Sequence, residues 1–223
     1  MATTSPSPVA SGLKNQLSMS DFEMEASSIE TSSRIRTLRA INALRSALTW
    51  LSIVLAVVVL GVSADALDTY YATSVGPEFF LQLWPAQFDV RPTQAFVAGS
   101  VVVLVANLVA QVLGEIRAPA RYPYRGMYAV AGSLVGFIGA LVAIGFYYSV
   151  NASTSIDTLQ SWSCRWEHVA MGSRPHFGTL CKESKAGLAL ATLLVPLQII
   201  VLGVACFQAT LDRKVGHLPL KRG

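Results

Sequence analysis

SALTWLSIVLAVVVLGVSA, residues 46–64, carries no charged side chain and is bracketed by Arg45 and Asp65. About 20 such residues, rising ~1.5 Å each, cross the ~30 Å of hydrocarbon in a bilayer. Three further runs share the property: 92–114 between Arg91 and Glu115, 126–151 after Arg125, and 186–211 between Lys185 and Asp212. Unpaired backbone groups are not tolerated in lipid, so each run reads as a helix. Charged residues make up 13% and hydrophobic residues 52% of the 223-residue chain. An ordinary soluble domain carries roughly a quarter charged residues. An ordinary soluble enzyme is thereby excluded. The expected fold is an all-α membrane protein, a four-transmembrane-helix bundle.

Orientation follows from Lys and Arg near the span ends. One side collects Arg34, Arg36, Arg39 and Arg45, then Arg117, Arg121 and Arg125, then Arg213, Lys214, Lys221 and Arg222. The other holds Arg91, Arg165, Arg174, Lys182 and Lys185. The first side is the richer, so both termini are expected in the cytoplasm, with outward loops 65–91 and 152–185. The pI near 9.1 then reflects topology. The Arg34, Arg36, Arg39 and Arg45 cluster is expected to face anionic inner-leaflet lipid, while nucleic acid is not expected as a partner. The first run lies too far into the chain for a cleaved signal peptide, and Asp21, Glu23, Glu25 and Glu30 argue against a mitochondrial presequence.

Residues 1–33 are rich in Ser and Thr and too poor in apolar residues to pack, so they read as a disordered cytoplasmic tail. The domain layout is thus that tail, a transmembrane domain over 34–212 and a basic tail over 213–223. The Ser-Pro pairs at 5–6 and 7–8, and Ser20 before Asp21 and Glu23, are kinase contexts. A solubilising tail is the plain reading. Phosphates that weaken the adjacent arginine cluster's hold on acidic lipid are the sharper one.

Cys164 and Cys181 fall in the second outward loop, where an oxidising compartment favours a disulfide. It would close a loop of about 17 residues, worth roughly 3 kcal/mol. The competing reading takes Cys164, His168, His176 and Cys181 as a zinc set, and the disulfide is preferred. Cys206, inside the fourth span, is expected as a buried small hydrophobe. Asn151-Ala-Ser153 is a glycosylation sequon too near the membrane surface for use.

Within the spans, Gly132, Gly136 and Ala140 repeat every four residues, the spacing of close helix packing. Packing inside the bundle is preferred over a homo-oligomer face. Ala106, Ala110 and Gly114 form a similar series in the second span. Asn107 and Gln111 share one helix face, and Gln198 follows Pro196, which removes a helix hydrogen bond. These three are expected to make interhelical hydrogen bonds, with a substrate path as the alternative. No Asp, Glu, Lys, Arg or His lies in a span core, and no HExxH, P-loop or GxSxG motif occurs. The chain is therefore not expected to be an enzyme, and no cofactor or metal is implied. Tyr70, Tyr71, Phe79, Phe80, Trp84 and Phe88 in the first outward loop, with Trp162 and Trp166 in the second, read as an interfacial belt or a contact surface.

Four spans with a cysteine pair before the last resemble the MARVEL and Casparian-strip-like tetraspan families. Ser161-Trp162-Ser163-Cys164 and Phe177-Gly178-Thr179-Leu180-Cys181 are similar to the loop of those proteins, and Lys185-Ala186-Gly187 to fungal members. The third span lacks the acidic residue, and the first the basic one, that Casparian-strip-like proteins carry. Claudin and tetraspanin cysteine signatures are missing. The resemblance implies a non-catalytic protein that organises sterol- or sphingolipid-rich membrane domains or vesicle traffic. The plasma membrane is the expected site, with an endomembrane next. The alternatives are an accessory subunit or small transporter using Asn107, Gln111 and Gln198, and a membrane-embedded biosynthetic enzyme using loop histidines.

Overall fold

The computed structural model describes residues 9–74, 83–85, 87–115, 125–153, 156–169, 171–172 and 174–216. Side chains at 9–35, 115, 125–126, 153 and 212–216 lie outside that description. Two units are distinguished, Met1–Leu44 and Arg45–Gly223. In the first, helical backbone begins at Val9, inside the segment whose composition predicts disorder. No Gly or Pro interrupts the sequence between Leu13 and Leu60, so nothing in it breaks a helix. Of the basic tail over 213–223, residues 213–216 continue α5 as helical backbone and 217–223 lie outside the described residues.

The order of elements is α1 (Val9–Thr73), β1 (Phe88–Asp89), α2 (Arg91–Glu115), α3 (Arg125–Ser153), β2 (Asp157–Thr158), α4 (Leu159–Arg165) and α5 (Phe177–Gly216). The four long helices α1, α2, α3 and α5 contain the four apolar runs, and each is long and apolar enough to cross a membrane. The chain is an all-α integral membrane protein. Large apolar side chains such as Val54, Leu108, Ile138, Leu193 and Ile199 face outward, as lipid contact requires.

Two helices outrun their apolar segments. α1 continues past Asp65 to Thr73, and α5 starts at Phe177 rather than 186. Charge marks where a helix leaves lipid, not where it stops. Past Asp65, Ala66 and Thr69 are buried, three residues apart on one face. Ahead of Lys185, Phe177, Leu180 and Cys181 are buried at helical spacing. Those faces have something to pack on. The described parts of loops 65–91 and 152–185 gather at these helix ends as a cap.

α2 and α3 pack with backbones nearly in contact. A Cβ on Gly99 would lie 2.5 Å from the Cβ of Ala143, and one on Gly132 would lie 2.7 Å from that of Ala110. Only residues without a side chain allow this approach, which lets dispersion and weak hydrogen bonds hold helices together in lipid. At the start of α2, the amide of Arg91 donates to Asp89 Oδ1 at 2.8 Å, and Pro92 occupies the first turn, where its missing N–H costs nothing.

Candidate functional site

Two places in Arg45–Gly223 gather functional groups: the cap, and a buried polar layer within the bundle. In the cap, β1 and β2 pair in parallel, Phe88 opposite Asp157 and Asp89 opposite Thr158. This backbone ladder ties the first outward loop to the second. It leads directly into α4, whose start is fixed by reciprocal hydrogen bonds. The Thr158 amide donates to Ser161 Oγ at 2.9 Å, and the Ser161 amide donates to Thr158 Oγ1 at 3.4 Å. The Arg165 guanidinium grips Asp157 with both arms, at 2.9 and 3.0 Å, and lies 5.7 Å from the centre of the Trp162 ring.

Cys164 of α4 and Cys181 of α5 are joined by a disulfide. Both sulfurs are thereby consumed, which removes the zinc alternative; His168 and His176 are exposed. Beside the disulfide, Tyr70 stacks on Phe88 with ring centres 5.0 Å apart, and Trp84 meets Tyr70, Phe88 and Phe177 edge-on at 5.1–5.6 Å. Trp84 is buried, and its indole N–H donates to Thr73 Oγ1 at 3.0 Å. These aromatics are neither belt nor contact surface. They are the core of the cap, together with Leu159 and Leu180. Tyr71 and Trp166 stay exposed, while Phe79 and Phe80 lie outside the described residues. No protein-family model, curated protein or solved structure matches this chain.

The polar layer lies one helical turn below an apolar one. Ala56, Val103, Ala140 and Leu194, one from each long helix, form a buried cluster. Four residues further along each helix, toward the Arg45 end, stand Ser52, Asn107, Gly136 and Gln198. Ser52, Asn107 and Gln198 are 0% exposed. A Cβ on Gly136 would lie 3.3 Å from Gln198 Nε2 and 3.5 Å from Asn107 Nδ2. Asn107 Nδ2 donates to the carbonyl of Val103 at 2.9 Å within its own helix. Its oxygen, both polar atoms of Gln198 and the hydroxyl of Ser52 have no hydrogen-bond partner among the described residues.

Polar side chains continue toward the Arg45 end. Gln111 Nε2 donates to Ser46 Oγ between α2 and α1, and Thr49 is buried with its hydroxyl on the Arg45 carbonyl at 2.8 Å. Toward the cap the core is mainly apolar, with the Ala56 cluster and then Val59, Phe96, Ala143, Tyr147 and Ala191, beside which Ser100 and Ser63 are also buried.

Gly132 packs on Ala110, Gly136 on the amides of Gln198 and Asn107, and Ala140 in the Ala56 cluster. Arg36 and Arg39 are exposed and Arg45 is half-buried, while the side chain of Arg34 lies outside the described residues. Cys206 corrects an expectation. It is exposed on the outer face of α5, and its neighbour Ala205 takes the core position. A small apolar thiol suits lipid contact as well as burial. The β1–β2 ladder had no signal in the sequence. Only the Thr158–Ser161 capping pair hinted at α4.

Proposed function

We propose that this protein is a non-catalytic tetraspan that organises membrane domains or vesicle traffic, with the cap as its recognition surface. The observation that carries the reading is the cap's construction. Two loops are locked by a ladder, a disulfide and an aromatic core into one body seated on the helix ends, with Tyr71, Trp166 and Val169 exposed on it. A rigid surface binds with less loss of conformational freedom than a flexible loop. The resemblance of the Trp162–Cys164 and Phe177–Cys181 segments to MARVEL and Casparian-strip-like loops supports the same reading. So does the absence of ionisable side chains from the middle of the spans. The cap then faces out of the cytoplasm at the plasma membrane, and the arginines near Arg45 meet anionic inner-leaflet lipid.

A second reading, an accessory subunit or small transporter, has one observation in its favour: the buried Asn107, Gln198 and Ser52. Against a through-path stand the two apolar layers between those residues and the cap.

Photobleaching of a C-terminal fluorescent fusion in living cells tests the organiser. Slow-recovering patches are expected, turning diffuse and mobile in Cys164→Ser and in Cys181→Ser. Rapid, uniform recovery of the unaltered protein, or unchanged patches in both variants, would overturn the reading.

A further inference from the structure

Burying a polar atom away from water without a hydrogen bond costs roughly 1–3 kcal/mol, and inside a bilayer no solvent relieves it. The layer formed by Ser52, Asn107 and Gln198 leaves four such atoms without a partner among the described residues. They come from three different helices, and Gly136 of the fourth faces them with no side chain of its own. A single misplaced side chain would strand one group. Stranding this many in one cross-section is the pattern of a site.

The chemistry of the atoms restricts what fits. One N–H of Asn107 Nδ2 is given to the Val103 carbonyl, which leaves its oxygen to accept and its second N–H to donate. The Gln198 amide, whichever way it is turned, offers one donor and one acceptor. The Ser52 hydroxyl offers either. A guest must therefore both accept and donate hydrogen bonds. A bare cation would meet the Gln198 N–H groups, and an anion would meet the oxygens of Asn107 and Gln198. No charged side chain stands in the layer to balance either.

The geometry points to a binding site for a small, uncharged, hydrogen-bonding guest, seated against Gly136 between Asn107, Gln198 and Ser52. Water satisfies these demands, needing two to four polar partners, and so does a small neutral amide. The Ala56, Val103, Ala140 and Leu194 layer closes the site's cap side, while toward Arg45 polar side chains follow directly, with Gln111 on Ser46 and Thr49 on the Arg45 carbonyl. The site is a bound step in the bundle, not a pore. The inference is independent of the organiser reading, since it concerns the bundle and not the cap.

The test uses the full chain in lipid nanodiscs, with the side-chain amides of Asn107, Gln198 and the surface residue Gln94 read by NMR. Cross-peaks from Asn107 and Gln198 to water are expected, and they persist in Ser52→Ala, which removes the hydroxyl proton as a relay. Gly136→Ala places a methyl where the guest sits and should weaken both at least tenfold, leaving Gln94 unchanged. Should that variant fail to assemble, Gln198→Leu serves, with the Asn107 cross-peak falling instead. Titration with acetamide separates the sources. A saturable shift of both amides identifies an organic guest, and cross-peaks without a shift identify water. Amides that show neither a water cross-peak nor an acetamide shift, or cross-peaks untouched by Gly136→Ala, would overturn the site.

Discussion

In the cap, the buried positions go to Trp84, Phe177, Leu159 and Leu180, with Tyr70 and Phe88 packed on them, and charged groups such as Arg165 and Glu167 lie toward the outside. In the membrane-crossing bundle alanines share the interior with larger side chains such as Ile53, Phe96, Tyr147 and Leu194. Alanines at 56, 110, 129, 140, 143, 191 and 205 are buried, while Val54, Leu108, Ile138, Leu193, Ile199 and Phe207 face out. One chain thus uses two rules for what belongs inside. Above the membrane, burying a large aromatic removes it from water and is strongly favourable. Within lipid a leucine gains little by turning inward, so close backbone approach counts for more, and small residues are favoured where helices meet.

Four substitutions would break or sharpen this contrast. Trp84→Ala should have the largest effect, destabilising the cap by about 3–5 kcal/mol as a buried aromatic is lost. Thermal melts followed by near-ultraviolet circular dichroism should show the cap signal lost early while far-ultraviolet helicity persists. A single common transition at the original temperature would contradict the division. Cys164→Ser comes next, at roughly 3 kcal/mol from the released loop entropy, read as faster proteolysis of the cap with the bundle left whole.

Gly99→Ala should cost about 1–3 kcal/mol by overpacking the α2–α3 seam, because its methyl would meet Ala143 at 2.5 Å. Gly145→Ala is its control, with nothing within 4 Å of the added methyl. Size-exclusion profiles after a heat step should separate the two variants, and equal survival would count against a tight seam. Phe207→Ala should be the mildest, within about 0.5 kcal/mol, although the same change in a water-soluble core would be severe. A large loss of thermal survival there would mean that Phe207 packs against protein rather than lipid.

The four spans were legible because the bilayer's demand is simple: an uncharged run of sufficient length must be a helix. The disulfide was legible for a related reason, since the expected topology put Cys164 and Cys181 in one loop on the side where oxidation was expected. The helix ends were not. Asp65 and Lys185 end the apolar runs, but Ala66 and Leu180 pack with Leu159 and Phe177 packs on Trp84, which carries the helices onward in a way a run-length reading does not detect. The aromatic core needed residues 70, 84, 88 and 177 brought together from far apart in the chain. Cys206 was misplaced by one step along a helix, a rotation of about 100° that separates core from lipid. Asn107, Gln111 and Gln198 were recognisable as polar. Their division was not: Gln111 bonds to Ser46, while Asn107 and Gln198 share a layer with Ser52, and that arrangement depends on the register of all four helices.

Peptide mapping of intact membranes, alkylated before any reduction, addresses the covalently closed cap most directly. The account predicts a peptide pair linked through Cys164 and Cys181, with alkylation confined to Cys206. Recovery of Cys164 and Cys181 as separately alkylated thiols would contradict it.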